Sequence, residues 1–347
     1  MSKARAYAAL TPSSPLVPFT VDRREPGPKD VSIEIAYCGI CHSDVHSARS
    51  EWGEGTFPLV PGHEIAGRVT AVGRKVKKFK VGDLAGVGCM VNSCRKCENC
   101  RKGLEQHCLA LTSFTYNSTE QDKKTPTYGG YSSHIVVDED FVLKIRKGLP
   151  LERVAPLMCA GITTYSPLKR FGARKGSRVG VLGLGGLGHM GVKLAAAMGA
   201  EVYALSGSPS KQADAKKLGA KHFVLTSDAA QLTALAGKLD LIVDTVSGTH
   251  DVNGLFGLLK TGGTLVMVGA SPKPHEVSSF PLIMARRALA GSLIGGVKET
   301  QEMLDFCAKK NCLADVEVVA AKDINAAYER MLKSDVRYRF SIDAKTL

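Results

Sequence analysis

The sequence lacks any long uninterrupted apolar run. Its most apolar stretch, residues 179 to 198, is rich in glycine and is broken by His189 and Lys193, which excludes a membrane span. The charges of Lys3 and Arg5 are not followed by the apolar segment of a secretory leader. These two absences predict a cytoplasmic protein with no membrane partner.

Aromatic residues are also scarce, and Trp52 is the only tryptophan. This scarcity bears on the formal net charge of +13, which could indicate nucleic acid, an acidic surface or an anionic cofactor. The densest basic cluster, residues 74 to 78, lacks the interleaved aromatic side chains of a single-strand-binding surface. A scattered basic surface is therefore favoured over a nucleic-acid partner.

Internal repeats and low-complexity segments are absent, and 347 residues predict about two domains. Up to about residue 150, short β-branched runs alternate with glycine, proline and charged turns, as in a strand-rich domain. Residues 113 to 128 are polar and predict a surface loop. From Lys175, strand-like and helix-like runs alternate, which indicates βαβ units and a parallel sheet. The tail from about residue 298 could return to the first domain.

Cysteine, in contrast, is abundant, with ten residues. In a cytosolic chain of this size, clustered cysteines suggest a metal before disulfides. The spacing of four of them suits a tetrahedral zinc: Cys94, Cys97, Cys100 and Cys108. Since four thiolates leave no position open for substrate, a closed structural site is predicted. An iron–sulfur cluster is the competing interpretation, and the absence of a following histidine pair argues against a nucleic-acid zinc finger.

A second set of metal-binding residues is dispersed along the chain. Residues 38 to 46 contain two thiols, two imidazoles, a hydroxyl and a carboxylate, and Cys41 lies among them. His63, Glu64 and Cys159 follow. Two thiolates and one imidazole leave one zinc position open, which is the composition of a catalytic site. Taken singly, each is more often a packing residue, and the spacing does not show that they meet.

A glycine-rich run forms the third motif, Gly183-Leu184-Gly185-Gly186-Leu187-Gly188. It follows a predicted strand and opens a helix, which is the context of a dinucleotide-binding turn. Gly183 permits the tight turn, Gly185 lets the backbone approach a pyrophosphate, and Gly188 allows close packing of helix on strand. The pyrophosphate would lie at the helix N-terminus, beside Gly186 and Leu187.

The end of the next strand lacks the acidic residue with which NAD sites hold the ribose hydroxyls. It reads Leu205-Ser206-Gly207-Ser208-Pro209-Ser210-Lys211. The hydroxyls of Ser206 and Ser208 and the amine of Lys211 suit a 2′-phosphate, which predicts NADP(H). The alternative is that the serines and the proline only cap the following helix.

In this order, the motifs closely resemble the zinc-containing medium-chain alcohol dehydrogenases over essentially the whole chain. Residues 38–44, 61–64 and 159–167, with the acid-free strand end, resemble the cinnamyl alcohol dehydrogenase branch and its bacterial aldehyde-reductase relatives.

The resemblance implies an α/β fold. A β-rich GroES-like catalytic domain would span residues 1–159, with a structural-zinc lobe at 94–108. A Rossmann domain with a doubly wound parallel sheet would span residues 160–297 and bind NADP. Residues 298–347 would return to the catalytic domain, with the active site in the cleft between the domains.

The resemblance also implies that Cys41, His63 and Cys159 hold a catalytic zinc, with Glu64 close behind. Asp44 would steer His63, as carboxylates usually do for zinc-bound histidines.

Further roles follow from the same resemblance. Ser43 would touch the zinc-bound oxygen, and His46 would form the outer end of a proton relay. His42 would contact the cofactor pyrophosphate, and Thr163 would lie beside the nicotinamide.

The implied activity is hydride transfer between NADP(H) and an aldehyde/primary alcohol pair, with two zinc ions per chain, in a homodimer. Aldehyde reduction with a broad aromatic and aliphatic range is expected. A polyol dehydrogenase and a non-catalytic zinc- and nucleotide-binding protein are the alternatives. Trp52, Cys89 and Tyr116 could line the pocket or only pack, and Cys38 is expected only to pack.

Overall fold

The structure, a computed structural model, describes residues 1–271 and 273–347. In this part of the chain the strands are β1 Ser2–Ala8, β2 Val17–Arg23, β3 Asp30–Ile40, β4 Ile65–Val72, β5 Leu84–Val87, β6 Met90–Ser93, β7 Thr112–Phe114, β8 His134–Asp138, β9 Leu143–Lys144, β10 Arg178–Leu182, β11 Glu201–Ser206, β12 His222–Leu225, β13 Leu239–Asp244, β14 Leu259–Met267, β15 Ala288–Gly291, β16 Val316–Ala320 and β17 Arg339–Asp343.

The α-helices of the described residues are α1 His42–Ala48, α2 Glu98–Arg101, α3 Leu151–Val154, α4 Ala160–Arg170, α5 Gly188–Ala197, α6 Gln212–Lys217, α7 Ala229–Leu235, α8 Val252–Leu258, α9 Phe280–Ile283, α10 Val297–Lys310 and α11 Ile324–Leu332. Within the same residues, no helix combines the length and the apolar character that crossing a bilayer would require.

The chain forms two compact units. The first consists of residues 1–159, 295–309 and 313–347, and the second consists of residues 160–294 and 310–312.

A seven-stranded sheet forms the centre of the first unit, in the order β16-β17-β3-β4-β5-β9, with β8 also paired to β3. Along β3, Val31, Ile33 and Ile35 alternate with polar residues and are buried, which is the period of a strand with one face in the core. The last strand, β17, pairs antiparallel with β3 and brings Ile342 opposite Cys38. The tail therefore supports the strand that leads into Cys41.

A six-stranded parallel sheet forms the second unit, in the order β12-β11-β10-β13-β14-β15. Its central strands, β10 and β13, are almost uniformly apolar and buried, as expected where both faces of a parallel sheet are covered. The strand order reverses between β10 and β13, the position at which such sheets bind ligands. The predicted doubly wound parallel sheet and the β-rich first part of the chain are confirmed.

The prediction of a surface loop over residues 113 to 128 was wrong in part. The segment begins within β7, which pairs with β6, and Thr115, Tyr116 and Thr127 are buried. The backbone N–H of Thr115 donates to the carbonyl of Cys89 at 3.0 Å. The polar composition concealed this because a threonine can be buried when its hydroxyl finds a partner, as that of Thr115 does in the Gly88 carbonyl at 2.5 Å.

Candidate active site

The junction of β3 and α1 fixes the first candidate ligand. Cys41 is the N-cap of α1, and its backbone N–H donates to the Asp44 carboxylate at 2.9 Å, while the Asp44 N–H donates back to the Cys41 carbonyl at 3.0 Å. Such reciprocal bonds close the first helical turn. The thiol of Cys41 is therefore held at a rigid strand–helix corner.

Four predicted residues meet in the first unit. The possible ligand atoms of Cys41, His63, Glu64 and Cys159 all lie within 4.8 Å of one another, and all four residues are buried. The two sulfur atoms are 4.0 Å apart, close to the separation of about 3.8 Å that two thiolates have on a tetrahedral zinc ion. The two thiols and the imidazole of His63 fit a zinc ion with one position left for another ligand.

A hydrogen bond links the thiols of Cys41 and Cys159. The hydrogen bond with Cys159 holds the pKa of Cys41 well below its usual value, and the same bond raises the pKa of Cys159. A thiolate is the form that binds metal, so the site already favours one deprotonated ligand.

Glu64 pairs with a residue that sequence reasoning did not identify. Its Oε1 accepts from Arg339, which is itself buried. Burial raises the pKa of Glu64 to about 8, although the positive charge of Arg339 opposes this. A side chain at Gly39 would collide with Glu64 Oε2, since a Cβ there would lie 1.9 Å from it.

His63 is oriented by a carboxylate. Its Nδ1 lies 3.2 Å from Asp44 Oδ1, which leaves Nε2 as the nitrogen available to a metal. The His63 ring stacks on Tyr116, with the ring centres 5.6 Å apart. Asp44 therefore lies where a carboxylate would steer His63, and Tyr116 lies beside the candidate metal site.

The predicted proton-relay residues, Ser43 and His46, and the predicted pyrophosphate contact His42 lie along α1. Ser43 and His42 are half-buried in its first turn, and burial lowers the pKa of His42. His46 Nδ1 pairs with Glu51, and its ring stacks on Trp52 with a centre-to-centre distance of 4.6 Å. Glu51 was missed from the sequence because a single exposed glutamate carries no motif.

Two further cysteines differ in their surroundings. Cys89 is half-buried, and a hydrogen bond with Cys159 lowers its pKa, so a third thiol adjoins the site. Cys38 is fully buried, and its sulfur lies against the backbones of Gly62 and Gly130. Cys38 lies outside both groups of possible metal ligands that the described residues form.

The four-cysteine group is also assembled. The sulfur atoms of its members, Cys94, Cys97, Cys100 and Cys108, lie within 4.8 Å of one another. Backbone N–H groups, including that of Leu109 at 3.4 Å, lower the pKa of Cys97 to about 6. Burial raises the pKa of Cys100 to about 12. With four sulfur ligands, the group fits a closed metal site.

The glycine run forms a tight turn in the second unit. Gly183 has a φ of +87°, which favours glycine. A Cβ on Gly188 would lie 2.0 Å from the Gly183 carbonyl oxygen, whereas a Cβ on Gly185 would meet nothing within 4 Å. The helix α5 begins at Gly188 with Leu187 as its N-cap, so a helix N-terminus opens directly from this turn.

The strand end near this turn is rich in hydroxyl groups. Ser206 ends β11, and its Oγ accepts from the Ser208 N–H at 3.2 Å, while Ser208 Oγ and Ser210 Oγ are 2.9 Å apart. Lys211 Nζ donates to the Leu184 carbonyl at 3.0 Å. Lys211 therefore links the strand end to the glycine turn, and residues 205–211 include no acidic side chain.

Thr163 lies elsewhere in the same unit. It is buried in α4, within two turns of the start of that helix.

Comparison with known proteins identifies the family. Residues 27–147 match the alcohol dehydrogenase GroES-like domain, and residues 186–309 match the zinc-binding dehydrogenase domain. The chain is 54% identical to NADP-dependent alcohol dehydrogenase C 1 of Mycolicibacterium smegmatis, covering 100% of this chain and 99% of the relative. It is also 54% identical to aldehyde reductase YahK of Escherichia coli, covering 99% of each chain.

A solved structure agrees with these relatives. The cinnamyl alcohol dehydrogenase of Sorghum bicolor superposes with a TM-score of 0.96 at 44% identity, covering 99% of this chain and 98% of that one. The resemblance inferred from the motifs is confirmed, and the chain belongs to the zinc-containing medium-chain alcohol dehydrogenase family, on its cinnamyl alcohol dehydrogenase-like branch.

Proposed function

We propose that the protein is a zinc-dependent oxidoreductase that transfers hydride between NADP(H) and an aldehyde/primary alcohol pair, chiefly reducing aldehydes. The observation that carries this proposal is the buried group of Cys41, His63 and Cys159, whose two thiols and one imidazole leave a zinc position open. The relatives named as NADP-dependent alcohol dehydrogenase and aldehyde reductase support it.

The chain's own residues would hold the reacting groups and move one proton. When bound, zinc would polarise the carbonyl group and NADPH would supply the hydride. Asp44 fixes the ring of His63, and Glu64 with Arg339 lies behind the ligands.

Proton transfer would use the half-buried face of α1. Ser43 would donate to the oxygen of the product, and His46 would return a proton from solvent. Glu51 holds Nδ1 of His46, so it would orient the ring for this exchange.

NADP(H) fits the surface formed by the glycine turn and the end of β11. Backbone N–H groups at the start of α5 would hold the pyrophosphate, beside Gly183, Gly185, Gly186, Leu187 and Gly188. The open space at Gly185 leaves room for this approach. Ser206, Ser208 and Lys211 would bind the 2′-phosphate, since a carboxylate that would repel it is missing there. His42 and Thr163 would complete the contacts to the pyrophosphate and the nicotinamide.

We assign catalysis to the first compact unit and cofactor binding to the second. The metal group lies entirely in the first, and the glycine turn lies in the second. The four-cysteine group would hold a second, structural zinc. A cytoplasmic location suits these proposed zinc thiolates, because a reducing compartment keeps them from forming disulfides.

We also propose a homodimer formed through the second unit. The strand β15 lies at the edge of its sheet, and Phe280, Ile283 and Met284 nearby are 70–75% exposed. Exposed apolar groups beside an unpaired strand edge favour pairing with an identical edge.

One assay tests the activity. Zinc-loaded protein is mixed with NADPH or NADH and a panel of aromatic and aliphatic aldehydes, and with polyols and NADP⁺ in the reverse direction, following cofactor absorbance. Turnover of aldehydes with NADPH supports the proposal. Preferential turnover of polyols would favour the polyol dehydrogenase alternative, and no turnover of any substrate would favour a non-catalytic binding protein.

A further inference from the structure

Two buried tyrosines lie behind the candidate zinc site. The Tyr131 hydroxyl donates to Asp44 Oδ2 at 3.0 Å, and Asp44 Oδ1 lies 3.2 Å from His63 Nδ1. Tyr328 lies behind Tyr131, with the two hydroxyl oxygens 3.5 Å apart. We propose that Tyr131 is a positioning residue for the zinc site: its hydroxyl, oriented by Tyr328, locks the carboxylate that orients His63.

The direction of the hydrogen bonds supports this role. Because the Tyr131 oxygen accepts from Tyr328, its single proton is left to donate to Asp44. Burial, reinforced by the charge of Asp44, holds the pKa of both tyrosines well above the usual value. Both hydroxyls are therefore neutral donors over the whole range in which the protein would work.

The carboxylate of Asp44 is held on both oxygens. Oδ2 accepts from the Cys41 N–H and from Tyr131, while Oδ1 accepts from the Gly62 N–H at 3.1 Å and from His63. With two donors on each oxygen and no solvent exposure, the carboxylate cannot rotate without losing bonds. Removing the Tyr131 hydroxyl takes away one of the two hydrogen bonds to Oδ2. The Asp44 carboxylate can then rotate, which loosens its hydrogen bond to His63.

The backbone holds Tyr131 in register with His63. The Tyr131 N–H donates to the Pro61 carbonyl at 2.9 Å, and the Gly130 N–H donates to the Gly62 carbonyl at 2.8 Å. Gly62 has a φ of +104°, and a Cβ there would lie 2.6 Å from the Tyr131 ring. The tyrosine ring is thus packed against the residue that directly precedes the metal ligand.

A buried arginine clamps the loop that carries Tyr131. Arg23 donates to the carbonyls of Tyr128 at 2.7 Å, Gly129 at 2.8 Å and His134 at 3.1 Å, and to Ser132 Oγ at 2.8 Å. Burial lowers its pKa to about 10, so the guanidinium stays charged at neutral pH. The network extends from Arg23 through the loop and Tyr131 to Asp44 and His63.

Tyr131→Phe tests the role because it keeps the ring and removes only the hydroxyl. Losing the group that directly orients a metal-bound histidine typically weakens metal binding by about 10- to 100-fold. Because Tyr131 acts through Asp44, the loss of its hydroxyl should have an effect at the lower end of this range. The four-cysteine group of the same molecule serves as the internal reference, since a general loss of stability would weaken both sites. This inference rests on the zinc site proposed above.

The measurement is the rate at which each metal leaves the full chain. Wild-type and Tyr131→Phe proteins are loaded with Co²⁺, whose thiolate charge-transfer bands differ between a two-sulfur and a four-sulfur site, and each band is followed after a chelator is added. We expect the two-sulfur band to decay about 10-fold faster in the variant, with the four-sulfur band unchanged. Equal decay of the two-sulfur band in both proteins, or equal acceleration of both bands, would overturn the proposal.

A second pair of variants tests the proposed network independently. Tyr328→Phe, one bond farther away, should accelerate the same band by a smaller factor. Tyr203→Phe is the control, because it loses a hydroxyl bonded to Glu201 in the second unit, and it should change the decay of neither band. If Tyr203→Phe accelerated the decay of the two-sulfur band as much as Tyr328→Phe does, the proposed network would be contradicted. A wild-type protein without the two-sulfur band would instead contradict the proposed function itself.

Discussion

At the scale of single residues, the surroundings of two buried thiols distinguish a proposed zinc ligand from a packing residue. Cys159 is 7% exposed and lies 4.0 Å from the sulfur of Cys41, whereas Cys38 is 1% exposed and packs on glycine backbone. We predict that Cys159→Ala loses one zinc of about two per chain and its activity while remaining folded, as measured by metal analysis, turnover and circular dichroism.

Cys38→Ala is the matched control. It should keep both zinc ions and nearly all activity, and should cost about 1 kcal/mol of stability for the small cavity. Loss of the catalytic zinc from this variant would show that the two thiols have been assigned the wrong way round.

The predicted preference for NADPH over NADH can also be tested at a single residue, Ser206. Ser206→Asp would place a carboxylate at the end of β11, where it would repel a 2′-phosphate and accept from the ribose hydroxyls. We expect the ratio of kcat/KM for NADPH to that for NADH to fall on the order of 10- to 100-fold. Ser206→Ala, which adds no charge, should lower the ratio less, and an unchanged ratio for Ser206→Asp would remove this residue from the phosphate site.

The site residues that could be predicted from the sequence are of types, such as cysteine and histidine, whose metal-binding chemistry few other side chains share. Spacing indicated the four-cysteine group, whereas the family resemblance implied that Cys41, His63 and Cys159 meet, and the structure brings each group together. Tyr131, Glu51 and Arg339 were not foreseen because tyrosine, glutamate and arginine are common, and their significance comes from tertiary contacts. Tyr131 meets Asp44 across 87 residues of chain, a separation that no local pattern encodes.

At the scale of elements, strong patterns gave good boundaries. The strand at residues 178–182 ends directly before the glycine run, as predicted, and the alternating elements beyond Lys175 form the parallel sheet. The segment from residue 113 failed as a surface loop because burial of Thr115 and Tyr116 depends on partners elsewhere in the fold. Periodicity indicates which face of an element is apolar. It does not indicate which polar side chains will find hydrogen-bond partners far away in the sequence.

The four-cysteine lobe, residues 94–108, gives a prediction about stability at the scale of elements. Its backbone between β6 and β7 contains only short helical turns, at residues 98–101 and 105–107, so a metal ion would supply much of its order. Cys97→Ala should lower stability on the order of 3 kcal/mol, a thermal midpoint shift of about 6–12 °C. Calorimetry checks this, and an unchanged midpoint together with an unchanged zinc content would contradict a structural zinc.

At the scale of the whole molecule, the exposed apolar side chains beside β15 predict the oligomeric state. Ile283→Asp should convert a dimer into a monomer, since a charge would be buried without a partner in the proposed interface. Val81→Asp is the control, because Val81 is 61% exposed in the first unit. Light scattering checks both, and a wild-type monomer or a dimeric Ile283→Asp variant would exclude this interface.

The pairing of β17 with β3 has a consequence for biosynthesis. Phe340 lies opposite Ile40, and Arg339 reaches Glu64 at the metal group, so these partners are separated by 275 residues or more of chain. A ribosome would make the proposed ligands Cys41, His63 and Cys159 long before it makes the strand and the arginine that support them. Until β17 is made, β3 would lack one of its partner strands, and an unpaired strand edge of this kind favours aggregation. We therefore expect the proposed zinc centre to be completed only after β17 has been synthesised and has paired with β3.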